Sequence, residues 1–125
     1  MEKVTVILII CVSILLNAVG QVSLKFGMNA YGSVEFSDLK RLFFMFFNPF
    51  VFFGLCCYVL STVFWLVSLS NADLSFVYPL VTVSIVIVIV LSKFVFNESF
   101  NASKISGIIF VILGAFLISM GRIKN

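Results

Sequence analysis

Long apolar stretches constrain this chain more than any other feature, because a bilayer-spanning helix needs about 20 apolar residues. Four such stretches are present, at about residues 4–26, 49–70, 74–96 and 104–121. Hydrophobic residues make up 62% of the 125 residues and charged residues only 10%, so little sequence is left for a water-soluble domain. We therefore predict an all-α membrane protein, with a single domain over residues 1–125 that forms a bundle of four transmembrane helices.

The longest link between spans, residues 27–48, places charged residues ahead of a run of aromatic ones. This order predicts a short interfacial helix between the first and second spans, since such a helix keeps its charges in water and its rings at the edge of the hydrocarbon. The eight Lys and Arg residues of the chain lie singly or in pairs near segment ends. They are typical of anchors to the lipid bilayer, and we expect no nucleic-acid partner.

Short polar motifs mark where the remaining spans begin. Asn48 precedes Pro49, and because Asn caps free amides while Pro fits the first turn, the second span is expected to start there. The link that ends at Asp73 is the only break between spans two and three, so these helices are predicted to form a tight antiparallel hairpin, with Asp73 capping the third. Asn101 or Ser103 is expected to cap the fourth.

Polar side chains recur every four residues along the first span, at Ser13, Asn17, Gln21 and Lys25. At 3.6 residues per turn these four lie within an arc of about 120°, on one helix face. In lipid such a face must be covered by protein or line a hydrated cavity. Asn17 is expected near mid-membrane, with Lys25 about 12 Å further along and close to an interface.

This polar stripe suits a substrate that has an anionic head and hydroxyl groups. Lys25 can hold a phosphate, while Asn17 and Gln21 can exchange hydrogen bonds with sugar-like groups. The alternative is that the two amides bond across a helix interface and that Lys25 only anchors the helix end. The sequence leaves both interpretations open.

Aromatic residues on the second and third spans are further candidates for substrate contact. Tyr58 and Trp65 are seven residues apart on one helix face and can form an aromatic wall. Pro79 removes one hydrogen bond from the third span and is expected to bend it, and Tyr78 places a hydroxyl beside that bend. For each aromatic residue, ordinary packing is the alternative.

Groups able to perform chemistry are scarce. The chain has no histidine and no paired carboxylates in its spans, and its three cysteines lack zinc-site spacing. We expect no enzyme, no metal and no cofactor. Glu98 is the acidic residue nearest the apolar core and is a candidate substrate contact; its alternative role is a loop carboxylate paired with Lys93 or Lys104.

Glycines recur every seven residues on the fourth span, at Gly107, Gly114 and Gly121. Small residues allow helices in a membrane to approach closely. This face is therefore predicted to be a helix-packing surface, either within the bundle or between chains.

Several of these motifs, taken in order, resemble the drug/metabolite transporter superfamily. They cover almost the whole chain and comprise residues 16–26, Phe64-Trp65-Leu66, residues 74–80, Phe96-Asn97-Glu98 and residues 107–114. The four-helix size resembles the small multidrug resistance exporters and the EamA-like branch. Gly20-Gln21, Tyr78-Pro79 and Glu98 resemble more closely the subunits that flip aminoarabinose-phosphoundecaprenol.

The resemblance implies a multi-pass transporter or flippase subunit of the bacterial cytoplasmic (inner) membrane that moves a polyprenyl-phosphate-linked sugar or a similar amphiphilic anion. It also implies a homodimer, or a heterodimer with a homologous four-span subunit. Aligned on the shared motifs, Asn17 stands where the multidrug exporters carry their proton-coupling glutamate, and Asn cannot titrate. Two alternatives remain: an exporter of drugs or small metabolites without this glutamate, and a non-transporting assembly subunit of a membrane complex.

Overall fold

The computed structural model describes residues 2–121, which form five α-helices: α1 (Lys3–Met28), α2 (Leu39–Met45), α3 (Pro49–Asn71), α4 (Leu74–Phe96) and α5 (Ala102–Gly121). All but α2 are long and apolar enough to cross a membrane. The prediction of an all-α protein with four spans and a short helix between the first two is therefore confirmed. Each observed span starts and ends within two residues of its predicted bounds.

Side-chain caps fix the starts of two spans where the sequence predicts them. The Asn48 Oδ1 atom accepts hydrogen bonds from the backbone N–H groups of Phe50 and Val51, at 2.9 and 3.4 Å. Asn101 Oδ1 accepts from the Lys104 N–H at 2.9 Å, so Asn101 caps α5. Asp73 occupies the N-cap position of α4. Its side chain makes no capping hydrogen bond, whereas those of Asn48 and Asn101 satisfy amides that the first helical turn leaves without backbone partners.

The α1 and α3 helices cross at close range because glycines lie on both sides of the contact. A Cβ built on Gly20 would lie 3.0 Å from the Gly54 carbonyl oxygen. Further along α1, a Cβ built on Gly27 would lie 2.7 Å from Val51 Cγ2. Only residues without a side chain fit such a crossing, in which dispersion contacts between backbones stabilise the helix pair in lipid.

The α3 and α4 helices are joined by a two-residue link, yet they touch each other little because each packs instead against α1. Near the link all three helices meet in a core of Val6, Ile10 and Ile14 from α1 and Val77 from α4, against which Trp65 of α3 packs. The predicted tight hairpin is therefore wrong. A short link fixes which ends are neighbours, but the close glycine crossing draws α3 to α1.

The α5 helix packs mainly on α4 and contributes no buried residue within residues 2–121. A Cβ built on Gly107, Gly114 or Gly121 would meet no atom of the described chain within 4 Å, neighbouring backbone aside. The expectation that these glycines form a seam within the bundle is therefore wrong for this chain, since its close glycine contacts join α1 and α3. Packing between chains remains a prediction for this face.

Candidate functional site

A cavity of about 230 Å³ lies between α1, α3 and α4 and is the candidate functional site. It is lined by Ser13, Ile14, Asn17, Tyr58, Ser61, Thr62, Trp65, Val81 and Ser84. The cavity lies beside the apolar core near the α3–α4 link, where Ile14 and Trp65 contribute to both. Polar groups from three spans thus converge within the apolar part of the bundle, which is the arrangement expected of a ligand site.

Ser13 and Ser61 form a reciprocal hydrogen-bonded pair across the α1–α3 contact. The Ser13 hydroxyl donates to the Ser61 carbonyl oxygen at 3.0 Å, and the Ser61 hydroxyl donates to the Ser13 carbonyl oxygen at 2.9 Å. Both side chains are buried, at 4% exposure each. Because a hydroxyl has a single proton to donate, this pair is occupied in joining the two helices and forms the polar floor of the cavity.

Asn17 is the polar centre of the site. Its Oδ1 atom accepts one hydrogen bond from Gln21 Nε2 at 2.8 Å and another from the Ser84 hydroxyl at 3.3 Å. The first bond runs along α1 and the second joins α1 to α4. With both lone pairs of Oδ1 engaged, the NH₂ group is the part of the Asn17 side chain left to donate to a ligand in the cavity.

Two of the four candidate residues on α3 and α4 line the cavity, and the other two lie outside it. Tyr58 and Trp65 both line the cavity, as the predicted aromatic wall requires. Tyr78 meets the edge of Trp65, with ring centroids 5.9 Å apart and planes at 77°, and it supports the wall without lining the cavity itself. Pro79 lines a separate groove, beside Ala115 of α5, so the structure does not bring it to Asn17.

The polar stripe of α1 continues from the cavity towards the end of the helix. Gln21 is half-buried and Lys25 is exposed in the last turn of α1. At 1.5 Å per residue, Lys25 lies about 12 Å from Asn17 along the axis. A cation therefore lies about two helical turns beyond Asn17 and one turn beyond Gln21, on the membrane side at which α2 lies.

Glu98 lies outside the cavity. Its carboxylate is 3.8 Å from Lys104 Nζ, which is the pairing that the sequence left as its alternative role. Both residues line a groove between α4 and α5. The sequence-predicted site residues therefore do not form a single site. Asn17, Tyr58 and Trp65 line the cavity, Pro79 and Glu98 line two separate grooves, and Gln21, Lys25 and Tyr78 line none of the three.

Three hydroxyl residues of the site, Ser61, Thr62 and Ser84, are absent from the sequence-based set. Ser61 and Thr62 carry a usable signal, because with Tyr58 and Trp65 they complete an i, i+3, i+4, i+7 pattern on one face of α3. Ser84 stands alone within an apolar helix and has no such pattern. Only the packing of α4 against α1 brings Ser84 to Asn17.

Comparison with known protein families identifies the family to which this chain belongs. Residues 3–120 match the model of the EamA-like transporter family. The chain belongs to this family. That match covers all four spans, and it confirms the family resemblance inferred from the motifs.

Named relatives of the chain carry two different subunit names. It is 40% identical, over 86% of both chains, to the probable 4-amino-4-deoxy-L-arabinose-phosphoundecaprenol flippase subunit ArnF of Proteus mirabilis. It is 32% identical to the protein of the same name from Serratia proteamaculans, over 90% of this chain and 92% of the relative. It is also 26% identical to subunit ArnE of Proteus mirabilis, over 85% of this chain and 89% of the relative.

No solved structure matches the chain. The family and the four apolar helices make the protein a multi-pass protein of the bacterial inner membrane.

Proposed function

We propose that the protein is a subunit of a flippase that moves a polyprenyl-phosphate-linked aminosugar across the bacterial inner membrane. The names of the ArnF and ArnE relatives support this class of substrate. The observation that carries the proposal is the polar cavity of about 230 Å³ between α1, α3 and α4. Its volume is below the range of about 300–1,000 Å³ typical of pockets for drug-sized ligands, and it suits a single sugar ring.

The donors of the cavity match the acceptors of a sugar phosphate. The Asn17 amide, the Tyr58 hydroxyl and the Trp65 indole N–H offer hydrogen bonds to ring and hydroxyl oxygens. Trp65 also offers an aromatic face to the apolar side of a sugar ring. Lys25, at the end of the polar stripe, offers a cation to the phosphate. The polyprenyl chain stays in the surrounding lipid, so that only the head group has to enter the protein.

The functional unit proposed here is a heterodimer with a homologous four-span subunit. Relatives with two subunit names support a pair of related chains, because such chains have surfaces of similar shape to join. The part of α5 around Gly114 and Gly121 is the surface we assign to this contact, since glycines let two helices approach closely in lipid and neither position meets another described helix.

Transport in vesicles tests the proposal. The protein, co-purified with its homologous subunit, is reconstituted into liposomes, and movement of a fluorescent prenyl-phosphate aminosugar between leaflets is measured. Asn17→Leu replaces the amide with an apolar side chain of similar size that cannot hydrogen-bond, and we expect transport to fall to the rate of empty liposomes. Lys25→Ala is expected to slow transport at least tenfold, as loss of a charge-assisted contact to phosphate would.

Lys40→Ala provides the matched control, because Lys40 is an exposed lysine of α2 outside the polar stripe. Its transport should equal that of the wild type. If Lys25→Ala also transports at the wild-type rate, the phosphate role of Lys25 is wrong. Resistance to cationic drugs that is abolished by Asn17→Leu would favour the exporter alternative. A protein that moves no lipid but is needed for a partner complex to survive purification would favour the assembly alternative.

A further inference from the structure

A groove of about 380 Å³ runs between α4 and α5, apart from the cavity. Apolar side chains line its length, among them Ile89 of α4 and Ile108 and Val111 of α5. Its polar lining residues include Glu98 and Lys104, which lie near the ends of the two helices. The groove therefore combines a long apolar wall with charged groups of both signs.

The charges at this end form a compact set around Phe100. Glu98 and Lys104 are 3.8 Å apart and each remains about two-fifths exposed, at 39% and 44% of the side chain. Lys93 Nζ lies 5.0 Å from the centre of the Phe100 ring and Lys104 Nζ lies 5.8 Å from it. Because the ion pair is long and half-solvated, it stabilises the fold little, and both partners stay accessible to a ligand.

The helix ends add to this separation of charge. The α4 helix finishes at Asn97, whose φ of 52° turns the chain out of the helix before Glu98. The carboxyl end of a helix attracts cations and the amino end attracts anions. The groove thus has a negative group, Glu98, after the end of α4, beside two positive groups, Lys104 at the start of α5 and Lys93 in the last turn of α4.

We propose that this groove is a second binding site, which takes up the zwitterionic aminosugar phosphate lipid from the membrane. The inference rests on the proposed function, whose substrate has a cationic amine and an anionic phosphate on an apolar chain. Glu98 binds the ammonium group, Lys104 and Lys93 bind the phosphate, and the first isoprene units lie along the apolar wall. Charge complementarity to both ends of one head group is the observation that selects this occupant.

The groove and the cavity lie on different faces of α4. Ser84 lines the cavity and Val86 lines the groove, and two residues along a helix correspond to a rotation of about 200°. A ligand in the groove therefore does not contact Asn17. The two sites can be tested separately.

Binding of two matched lipids tests the groove. The probes are farnesyl phosphate esters of 4-amino-4-deoxy-L-arabinose, one with its free amine and one N-acetylated, which removes the positive charge. Binding of each radiolabelled probe is measured in phosphatidylcholine nanodiscs, in the Asn17→Leu background, so that the cavity does not contribute. We expect the free amine to bind about tenfold more tightly, the preference that one charge-assisted hydrogen bond provides.

Glu98→Gln should remove this preference, and Glu98→Asp, which keeps the charge, should retain part of it. Glu35→Gln is the matched control, because Glu35 is an exposed carboxylate in the link before α2, and it should keep the full preference. Thermal unfolding of each variant shows that the fold is intact. A wild-type preference in Glu98→Gln would overturn the proposal, and so would equal displacement of the probe by phosphatidylethanolamine.

The two proposals fail in different ways. If Asn17→Leu transports normally, the cavity is not the translocation site, whatever the groove binds. If Asn17→Leu abolishes transport while Glu98→Gln keeps the amine preference, the cavity role stands and the groove role is wrong.

Discussion

A Cβ built on Gly54 would lie 2.8 Å from the backbone carbonyl oxygen of Gly20, so α1 and α3 touch backbone to backbone at this crossing. We predict that Gly54→Ala destabilises the protein by about 1–3 kcal/mol, the usual cost of overpacking a contact that cannot relax. Thermal unfolding in detergent, followed by circular dichroism, measures the change. The reason is steric, because the nearest atoms include backbone atoms of Gly20 and Leu24 as well as a side chain.

Gly114→Ala serves as the matched control for the same substitution. A Cβ at Gly114 meets no atom of the described chain within 4 Å, neighbouring backbone aside, and alanine is the better helix former by about 1 kcal/mol. The isolated chain should therefore unfold at the same or a higher temperature. Equal destabilisation by the two substitutions would contradict the assigned difference between the two helix faces.

The reciprocal bonds between Ser13 and Ser61 predict a measurable coupling between the two residues. Each single alanine substitution removes one hydroxyl from a pair that is bonded in both directions. A double-mutant cycle should give a coupling free energy of about 0.6 kcal/mol, and at most about 1.7 kcal/mol, as for other hydrogen bonds between membrane helices. Strictly additive losses would show that the pair does not join α1 to α3.

The edge contact between Trp65 and Tyr78 predicts a spectroscopic signature. Trp65 is the only tryptophan in the chain, so its fluorescence reports on the wall of the cavity alone. Tyr78→Leu should shift the emission maximum and cost about 0.5–1.5 kcal/mol beyond the area lost, whereas Tyr78→Phe should preserve both. Tyr31→Phe, in the link before α2, is expected to leave the spectrum unchanged. An unshifted spectrum in Tyr78→Leu would disprove the contact.

The glycines of α5, which meet no other described helix, predict association between subunits. Gly114→Leu should lower energy transfer between labelled subunits in liposomes, because a large side chain separates two helices that meet at glycines. Leu113→Phe, which enlarges a neighbouring residue that is 50% exposed, is the comparison variant and should leave energy transfer unchanged. Equal energy transfer in both variants would place the subunit contact elsewhere.

Local signals in the sequence predicted local structure well. Asn48 and Asn101 cap the helices that they precede, because a cap depends only on the residue and the first turn that follows it. The polar stripe likewise placed Asn17 and Gln21 on one helix face; Asn17 bonds across the helix interface to Ser84, as the alternative interpretation allowed, and its role in binding a substrate stays a prediction. The spacing of four residues places Gln21 within hydrogen-bond reach of Asn17 whatever the rest of the fold does.

The sequence did not predict the features that depend on which helices pack against each other. Three glycines at intervals of seven make α5 resemble a packing seam more than Gly20 and Gly27, a single interval of seven on α1, or the lone Gly54 of α3, yet the latter form the close contacts. Regular glycine spacing shows that a helix can pack closely, but only the tertiary arrangement determines which helix it packs against. Ser84 joins the site for the same reason, through a contact between residues that are 67 positions apart.

Asn17 also limits the energy source that this subunit can use. None of the four spans contains an aspartate, a glutamate or a histidine, so no such side chain of these helices is available to carry a proton through the membrane near neutral pH. On the proposed function, a proton gradient therefore finds no such carboxylate or imidazole within these helices through which to favour one direction of lipid movement. On the proposed function, net flow through this subunit would then follow the concentration difference of the lipid itself.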